Sequence, residues 1–233
     1  MRSRVRNLVS DQLNYYRARA AEYDEWWLRE GPYDLGPEAN EIWRAETGAL
    51  DGVLEAFQPK GKVLELAAGT GIWSKKLLPY ASALTLVDGS QEMLAINRSR
   101  LRSDKVQYIE ADIFNWWPKQ KFDTVFFAFW LSHVPAEYFR DFWGMVRSAL
   151  SPEGRVLFVD SFTDSTSSAT VHELRSRGAK MTRRLRDGRE FSICKIFYEP
   201  DKLKNALEAI GWRIELHKTE RYFIYGYGAP DDA

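Results

Sequence analysis

From Val63 onward, short and strongly apolar runs alternate with stretches of helical periodicity, and this alternation constrains the fold most tightly. Val63-Leu64-Glu65-Leu66, Leu84-Thr85-Leu86-Val87 and Phe122 to Phe129 read as buried strands, with Val106 to Ile109 and Arg155 to Asp160 as two more. Between them, Ile72 to Leu78, Gln91 to Leu101 and Ala136 to Leu150 repeat apolar residues at helical spacing. A strand, a helix of about a dozen residues and another strand imply a right-handed crossover, so the spacing predicts a parallel sheet with helices on both faces. Asp201 to Ile210 is a further helix, ended by Gly211. Trp212 to Lys218 and Arg221 to Tyr227 are too close together for a crossover and must pair as an antiparallel hairpin.

Upstream of the alternation, Leu13, Tyr16, Ala20, Tyr23 and Trp27 predict a helix from Ser10 to Arg29, stopped at Gly31-Pro32. Glu38 to Phe57 predicts a second. Residues 1–58 are therefore expected to form a helical cap on a domain of residues 59–233. The strand–helix rhythm breaks at 161–190, which reads as an insertion, and a short strand at Phe191 to Ile196 follows it.

Charge and composition narrow the function. The 33 basic and 33 acidic residues cancel, so the bulk positive field that draws a protein to nucleic acid or anionic lipid is missing. A single Cys forbids an internal disulfide and the usual cysteine-based zinc site, which suggests a reducing compartment. The basic start, Met1 to Asn7, is not followed by the apolar core of a signal peptide. No run approaches the roughly 18 apolar residues that would span a bilayer. A cytoplasmic protein is expected. Aromatic residues make up 14% of the chain, with nine Trp, and such a load can mark a pocket for a flat or cationic ligand.

An open parallel sheet binds its ligand at the carboxyl ends of its strands. After the first strand stands Glu65-Leu66-Ala67-Ala68-Gly69-Thr70-Gly71, whose glycines permit positive φ and close backbone approach. Asp88 ends the second strand seventeen residues after Gly71, where a carboxylate can accept both hydroxyls of a ribose. A dinucleotide fingerprint would place Gly or Ala where Ser74 follows bulky Trp73, which disfavours a nicotinamide oxidoreductase.

These residues, with Asp112 after the third strand and the final hairpin, resemble a class I S-adenosylmethionine-dependent methyltransferase of the small-molecule type over roughly residues 60–228. The resemblance implies a Rossmann-like seven-stranded sheet, mostly parallel with an antiparallel last strand. It implies S-adenosylmethionine as cofactor and S-adenosylhomocysteine as product. By that resemblance Glu65 and the Ala67, Gly69 and Gly71 loop cradle the methionine part, Asp88 holds the ribose diol, Asp112 and Ile113 read the adenine, Phe129 closes on the cofactor, and Gly89 and Met93 are further cofactor contacts. Tyr16 and Arg17 correspond to a pair that reaches the cofactor carboxylate. Ala67 departs from the family, where many members have Gly.

His133, just past the fourth strand, is a candidate base for a phenol, hydroxyl or ring N–H acceptor. Tyr23, Trp26, Trp27 and Trp130 are candidate acceptor contacts. Trp116 and Trp117 are candidates for stacking on adenine, and His172 and His217 read as structural. The segment 161–190 holds seven basic and four acidic residues, and the family commonly makes a lid of the corresponding segment. Arg189 would then face an anionic acceptor. The signatures of amino-methylating DNA enzymes and of cytosine-C5 enzymes are absent, and no metal site is visible in the sequence. The expected activity is methyl transfer to an O or N atom of a small, planar or aromatic metabolite, by a monomer or homodimer without nucleic-acid or membrane partners. A nicotinamide oxidoreductase, a cofactor-binding module without turnover and a macromolecular methyltransferase are the alternatives.

Overall fold

The computed structural model of the protein describes residues 2–162 and 179–231. The strands in chain order are β1 (Lys62–Leu66), β2 (Ala83–Asp88), β3 (Val106–Glu110), β4 (Phe122–Ala128), β5 (Leu150–Ser161), β6 (Lys180–Arg184), β7 (Glu190–Cys194), β8 (Trp212–Lys218) and β9 (Phe223–Pro230). Seven of them form one sheet in the order β3-β2-β1-β4-β5-β9-β8, while β6 and β7 pair as a separate antiparallel ribbon. The pairs along β3-β2-β1-β4-β5 are parallel, and β9 runs antiparallel to both of its neighbours. The strand order reverses between β1 and β4, which opens a crevice at their carboxyl ends.

The helices are α1 (Arg2–Arg19), α2 (Tyr23–Leu28), α3 (Pro37–Phe57), α4 (Ile72–Leu77), α5 (Gln91–Leu101), α6 (Phe139–Ala149) and α7 (Pro200–Glu208). In α3, Pro37 supplies the preset φ of a first turn, and Trp43, Leu50, Leu54 and Phe57 recur on one buried face. That face packs with Trp73 of α4 and Phe126 of β4 on one side of the sheet. Trp143 of α6, Leu203 and Leu207 of α7 and Trp212 pack with Phe127 and Phe158 on the other. Trp43, Trp73, Trp143 and Trp212 are thus core residues, so four of the nine Trp owe their presence to packing.

The first helix differs from the expected span of Ser10 to Arg29. It starts earlier, ends at Arg19, and passes through a tight 3-10 turn at Ala20–Glu22 into α2, which Arg29 closes with φ of +58°. The bend has a physical cause: the Asp24 carboxylate at the start of α2 takes the Thr70 hydroxyl and the Arg100 guanidinium. These bonds pull the second segment down onto the loop after β1. In the expected insertion, β6 adds a strand where only the following one was anticipated. Asp164, His172, Glu173, Arg175 and Arg177 lie outside the described residues. Gln12 of α1 fastens the ribbon: its carbonyl accepts from Cys194 N–H at 3.0 Å, and its amide donates to the His133 carbonyl at 3.2 Å.

Candidate cofactor and acceptor site

Two adjoining cavities occupy the crevice. The first, of about 640 Å³, is lined by Ala67, Gly69, Asp88, Gly89, Met93, Asp112, Ile113, Phe114, Trp130 and residues of α1. Asp88 anchors it: one oxygen accepts from Gly69 N–H at 2.9 Å and the other from Ser90 N–H at 2.8 Å. Burial outweighs these bonds and raises the Asp88 carboxyl to about 6. Gly69 and Gly71 hold φ of +52° and +92°, and a Cβ on Gly71 would meet the Asn97 side chain at 2.8 Å. Asn97 in turn ties the loop together, donating to Ser74 Oγ at 2.9 Å and to the Gly69 carbonyl at 3.2 Å. Ala67 takes φ of +54°, so this departure from the family's Gly keeps the left-handed backbone.

Glu65 lies at the floor of a smaller recess walled by Tyr23, Trp26, Trp27, Trp73 and Phe129. It is 2% exposed, its Oε2 has no hydrogen-bond partner among the described residues, and burial raises it to about 8. A buried oxygen with no donor among the described residues, beside the glycine loop, fits the ammonium end of an amino acid. The residues present therefore suit S-adenosylmethionine along its length: Glu65 for the ammonium, Asp88 for a ribose diol, and Asp112 with Ile113 for the adenine edge. Asp112 also caps its own turn, with one oxygen accepting from Phe114 N–H at 3.0 Å.

The second cavity, of about 570 Å³, opens beside the first and shares Tyr16, Tyr23 and Phe129 with it. Arg19, Arg183 and Lys195 line it, and no carboxylate does among the described residues. Lys195 is 8% exposed and donates to Ser132 Oγ at 2.8 Å and Ser161 Oγ at 3.2 Å, with Asp160 behind it at 3.6 Å. Arg19 stands among the Tyr15, Tyr23 and Tyr33 rings and donates to the Tyr33 hydroxyl at 2.9 Å. Burial lowers the pKa of Arg183, and the Arg19 charge lowers it further. Two guanidiniums with no carboxylate partner among the described residues line one cavity, an arrangement that an anion between them would stabilise.

His133 sits at the back wall, 5% exposed. Its Nδ1 lies 2.6 Å from the Cys194 carbonyl and its Nε2 lies 2.8 Å from the Tyr16 hydroxyl. A carbonyl only accepts, so Nδ1 carries the proton and Tyr16 donates to Nε2. Burial holds the imidazole well below its usual pKa, and the Lys195 charge adds to the effect. Phe129, where the cavities meet, has φ of +55°, a strained backbone for a bulky residue, worth about 1–3 kcal/mol. Trp26 and Trp27 hold its ring at centroid distances of 4.8 and 5.8 Å.

The crevice brings together Tyr16, Tyr23, Glu65, Ala67, Gly69, Gly71, Asp88, Gly89, Met93, Asp112, Ile113, Phe129, Trp26, Trp27, Trp130 and His133. It leaves out Arg17 and Arg189. Arg17 donates to the Gly89 carbonyl at 3.1 Å and lies 3.6 Å from Glu110, fastening α1 across the end of β2. Arg189 is exposed at the ribbon turn and paired with Asp187, because the turn points its side chain outward. Trp130 belongs to the first cavity and stands 5.3 Å from Phe114. Trp116 packs on the core and Trp117 is 57% exposed, so Phe114 and Trp130, not that pair, face the cavity.

The residues missed from sequence are Arg19, Phe114, Arg183 and Lys195. Arg19 had a signal, since Gln12, Tyr16, Arg19 and Tyr23 follow one helical face. Arg183 had none, being one basic residue among seven in its segment.

Residues 63–154 match a family model described as methyltransferase domain. The structure of DhpI with SAH superposes with a TM-score of 0.78 at 36% identity, covering 98% of this chain and 99% of that one. A complex of DhpI with SAM and HEP gives 0.79 at 37%, covering 96% and 98%. Trans-aconitate 2-methyltransferase of Escherichia fergusonii is 38% identical over 95 residues, which are 40% of this chain and 36% of that enzyme. Nodulation protein S of Sinorhizobium fredii is 27% identical over 132 residues, 52% of this chain and 60% of that protein. The chain thus spans less than two thirds of either curated relative. No helix among the described residues is long and apolar enough to cross a membrane. On its sheet order, its cofactor crevice and its full-length likeness to DhpI, the chain belongs to the class I S-adenosylmethionine-dependent methyltransferases.

Proposed function

We propose that the protein transfers a methyl group from S-adenosylmethionine to an oxygen of a small acceptor that carries an oxyanion, held between Arg19, Arg183 and Lys195. One observation carries the reading: a cavity lined by three cations and no carboxylate, among the described residues, shares Tyr16, Tyr23 and Phe129 with the cofactor cavity. The complex of DhpI with SAM and HEP supports a second small ligand beside the cofactor.

When bound, the cofactor supplies an electrophilic methyl group on a sulfonium. The chain's own work is to align and desolvate the acceptor. Arg19 and Arg183 are forked donors suited to a trigonal or tetrahedral oxyanion, and Lys195 adds a point charge. Such orientation can supply about 7–11 kcal/mol of a bimolecular barrier. An ionised oxygen has no proton to lose, so this reading requires no base, and His133 serves through Tyr16.

A planar aromatic acceptor is the second reading, favoured by the rings of Tyr15, Tyr33, Trp26 and Phe197 in the same wall. Charge separates the two. Methyl-labelled cofactor should transfer label to members of a panel of small phosphonates, phosphate monoesters and carboxylates, and inorganic sulfate should inhibit. Transfer confined to neutral phenols and amines overturns the oxyanion reading.

A further inference from the structure

We propose that His133 takes up a proton when an anion enters the acceptor cavity and gives it up when methylation removes a negative charge, with Tyr16 passing the signal between them. The proposal rests on the oxyanion reading above and deepens it.

The geometry sets the starting state. With the imidazole neutral, the Cys194 carbonyl fixes the Nδ1–H tautomer, and Tyr16 donates its only hydroxyl proton to Nε2. The phenol oxygen then offers lone pairs to the cavity, which is the wrong polarity for an anion. Two moves reverse it. A proton from solvent binds Nε2, and the new Nε2–H donates to the Tyr16 oxygen. Tyr16 is then free to turn its O–H toward the anion, completing a chain from imidazolium through phenol to oxyanion whose dipoles all point one way.

The charges around His133 make that uptake depend on the anion. Arg19 on α1, Arg183 on β6 and Lys195 after β7 all oppose a proton on the ring. On the other side, Asp160 of β5 is held by Lys195 and by Ser132 N–H, and Glu137 lies toward Cys194. Gln12 binds the backbone carbonyl of His133 and carries no charge. The cations that suppress the imidazolium are the same three that face the acceptor, so an anion there screens all of them at once. When the acceptor oxygen forms its bond to carbon, the carbon–sulfur bond breaks and its electron pair stays on sulfur. The acceptor has then lost one negative charge. The three cations regain their hold on His133, the proton returns to solvent, Tyr16 swings back, and the product loses a donor just as it must leave. His133 is thus a positioning residue that acts through Tyr16.

Inorganic sulfate is a suitable probe, because it stays a dianion across the pH range of histidine titration. The protein is saturated with S-adenosylhomocysteine, and sulfate is titrated calorimetrically between pH 5.5 and 7.5 in buffers of differing ionisation enthalpy. Wild type should take up a fraction of one proton per sulfate, and its affinity should fall by up to about tenfold per pH unit between the His133 transition of the sulfate-free protein and the higher one of the sulfate-bound protein. His133→Gln keeps an acceptor for Tyr16 and a donor for Cys194. It should retain S-adenosylhomocysteine affinity while its sulfate affinity becomes independent of pH. Sulfate binding to wild type without proton uptake, or uptake that survives in His133→Gln, overturns the proposal alone. No sulfate binding at any pH overturns the oxyanion reading and the coupling with it.

Discussion

Asp88 and Gly69 are joined across two strand ends: the carboxylate that closes β2 accepts the backbone N–H of the loop after β1 at 2.9 Å. The bond fixes the loop glycines relative to the carboxylate and leaves lone pairs on Asp88 facing the cavity. A ribose diol meets an acceptor already aimed. Asp88→Asn keeps the volume but replaces one acceptor oxygen by a donor. It should weaken S-adenosylhomocysteine binding by one to two orders of magnitude, in line with about 1.5–3 kcal/mol for a hydrogen bond to a charged group. Because the carboxyl lies at about 6, wild-type affinity should fall more steeply than the variant's as pH drops below that value. Calorimetry across pH 5 to 8 measures both.

Glu65 gives a prediction about stability. Its folded pKa of about 8 exceeds the ordinary 4.5, so between those values the folded state holds more protons than the unfolded one. Stability from the protonated form is complete below about 4.5 and is lost as pH rises toward 8. Glu65→Gln should therefore flatten the fall in melting temperature between pH 6 and 8.5 in the cofactor-free protein. A variant curve parallel to wild type would show that the carboxyl ionises without penalty.

Gln12 is the pin between α1, the ribbon and the loop carrying His133. It is 2% exposed, and Gln12→Ala leaves the Cys194 N–H and the His133 carbonyl without their partner. Losing both bonds should cost about 2–4 kcal/mol. Chemical denaturation should register the loss, and hydrogen exchange should locate it at 190–196 and 131–135.

Much of this arrangement was legible in the sequence, for a reason that also explains the gaps. The apolar runs at Val63 to Leu66, Leu84 to Val87 and Phe122 to Phe129 are buried on both faces, so their composition announces a parallel sheet. The glycine loop and Asp88 are likewise local: a strand end, a turn and a carboxylate at fixed spacing. The acceptor cavity is different in kind. Arg19, Arg183 and Lys195 meet only because α1 folds over the crevice and the ribbon packs against it, a relation between segments more than 160 residues apart. No periodicity encodes that meeting, and a basic residue on a two-stranded ribbon looks the same whether it faces water or a cavity. For this reason the sequence does not separate Arg189, which the structure places at the exposed turn, from Arg183, which lines the cavity. The aromatic surplus divides similarly, with Trp43, Trp73, Trp143 and Trp212 in the core and Trp26, Trp27 and Trp130 at the cavities.

Arg189 supplies a control. It is exposed and bound to Asp187, so Arg189→Ala should leave acceptor KM within about twofold of wild type, as surface ion pairs contribute little. A large rise in KM would mean that the ribbon turn folds inward over the acceptor.

The central claim is that the two guanidiniums hold the acceptor, and the Arg19→Met/Arg183→Met double variant tests it most directly. Methionine keeps much of each stem while removing the charge. With an oxyanion acceptor found active in wild type, kcat/KM of the double variant should fall by at least about a thousandfold, on the scale of removing partners from buried charge pairs. S-adenosylhomocysteine affinity should stay within a few fold. Methyl transfer to that acceptor at an undiminished kcat/KM would contradict the account.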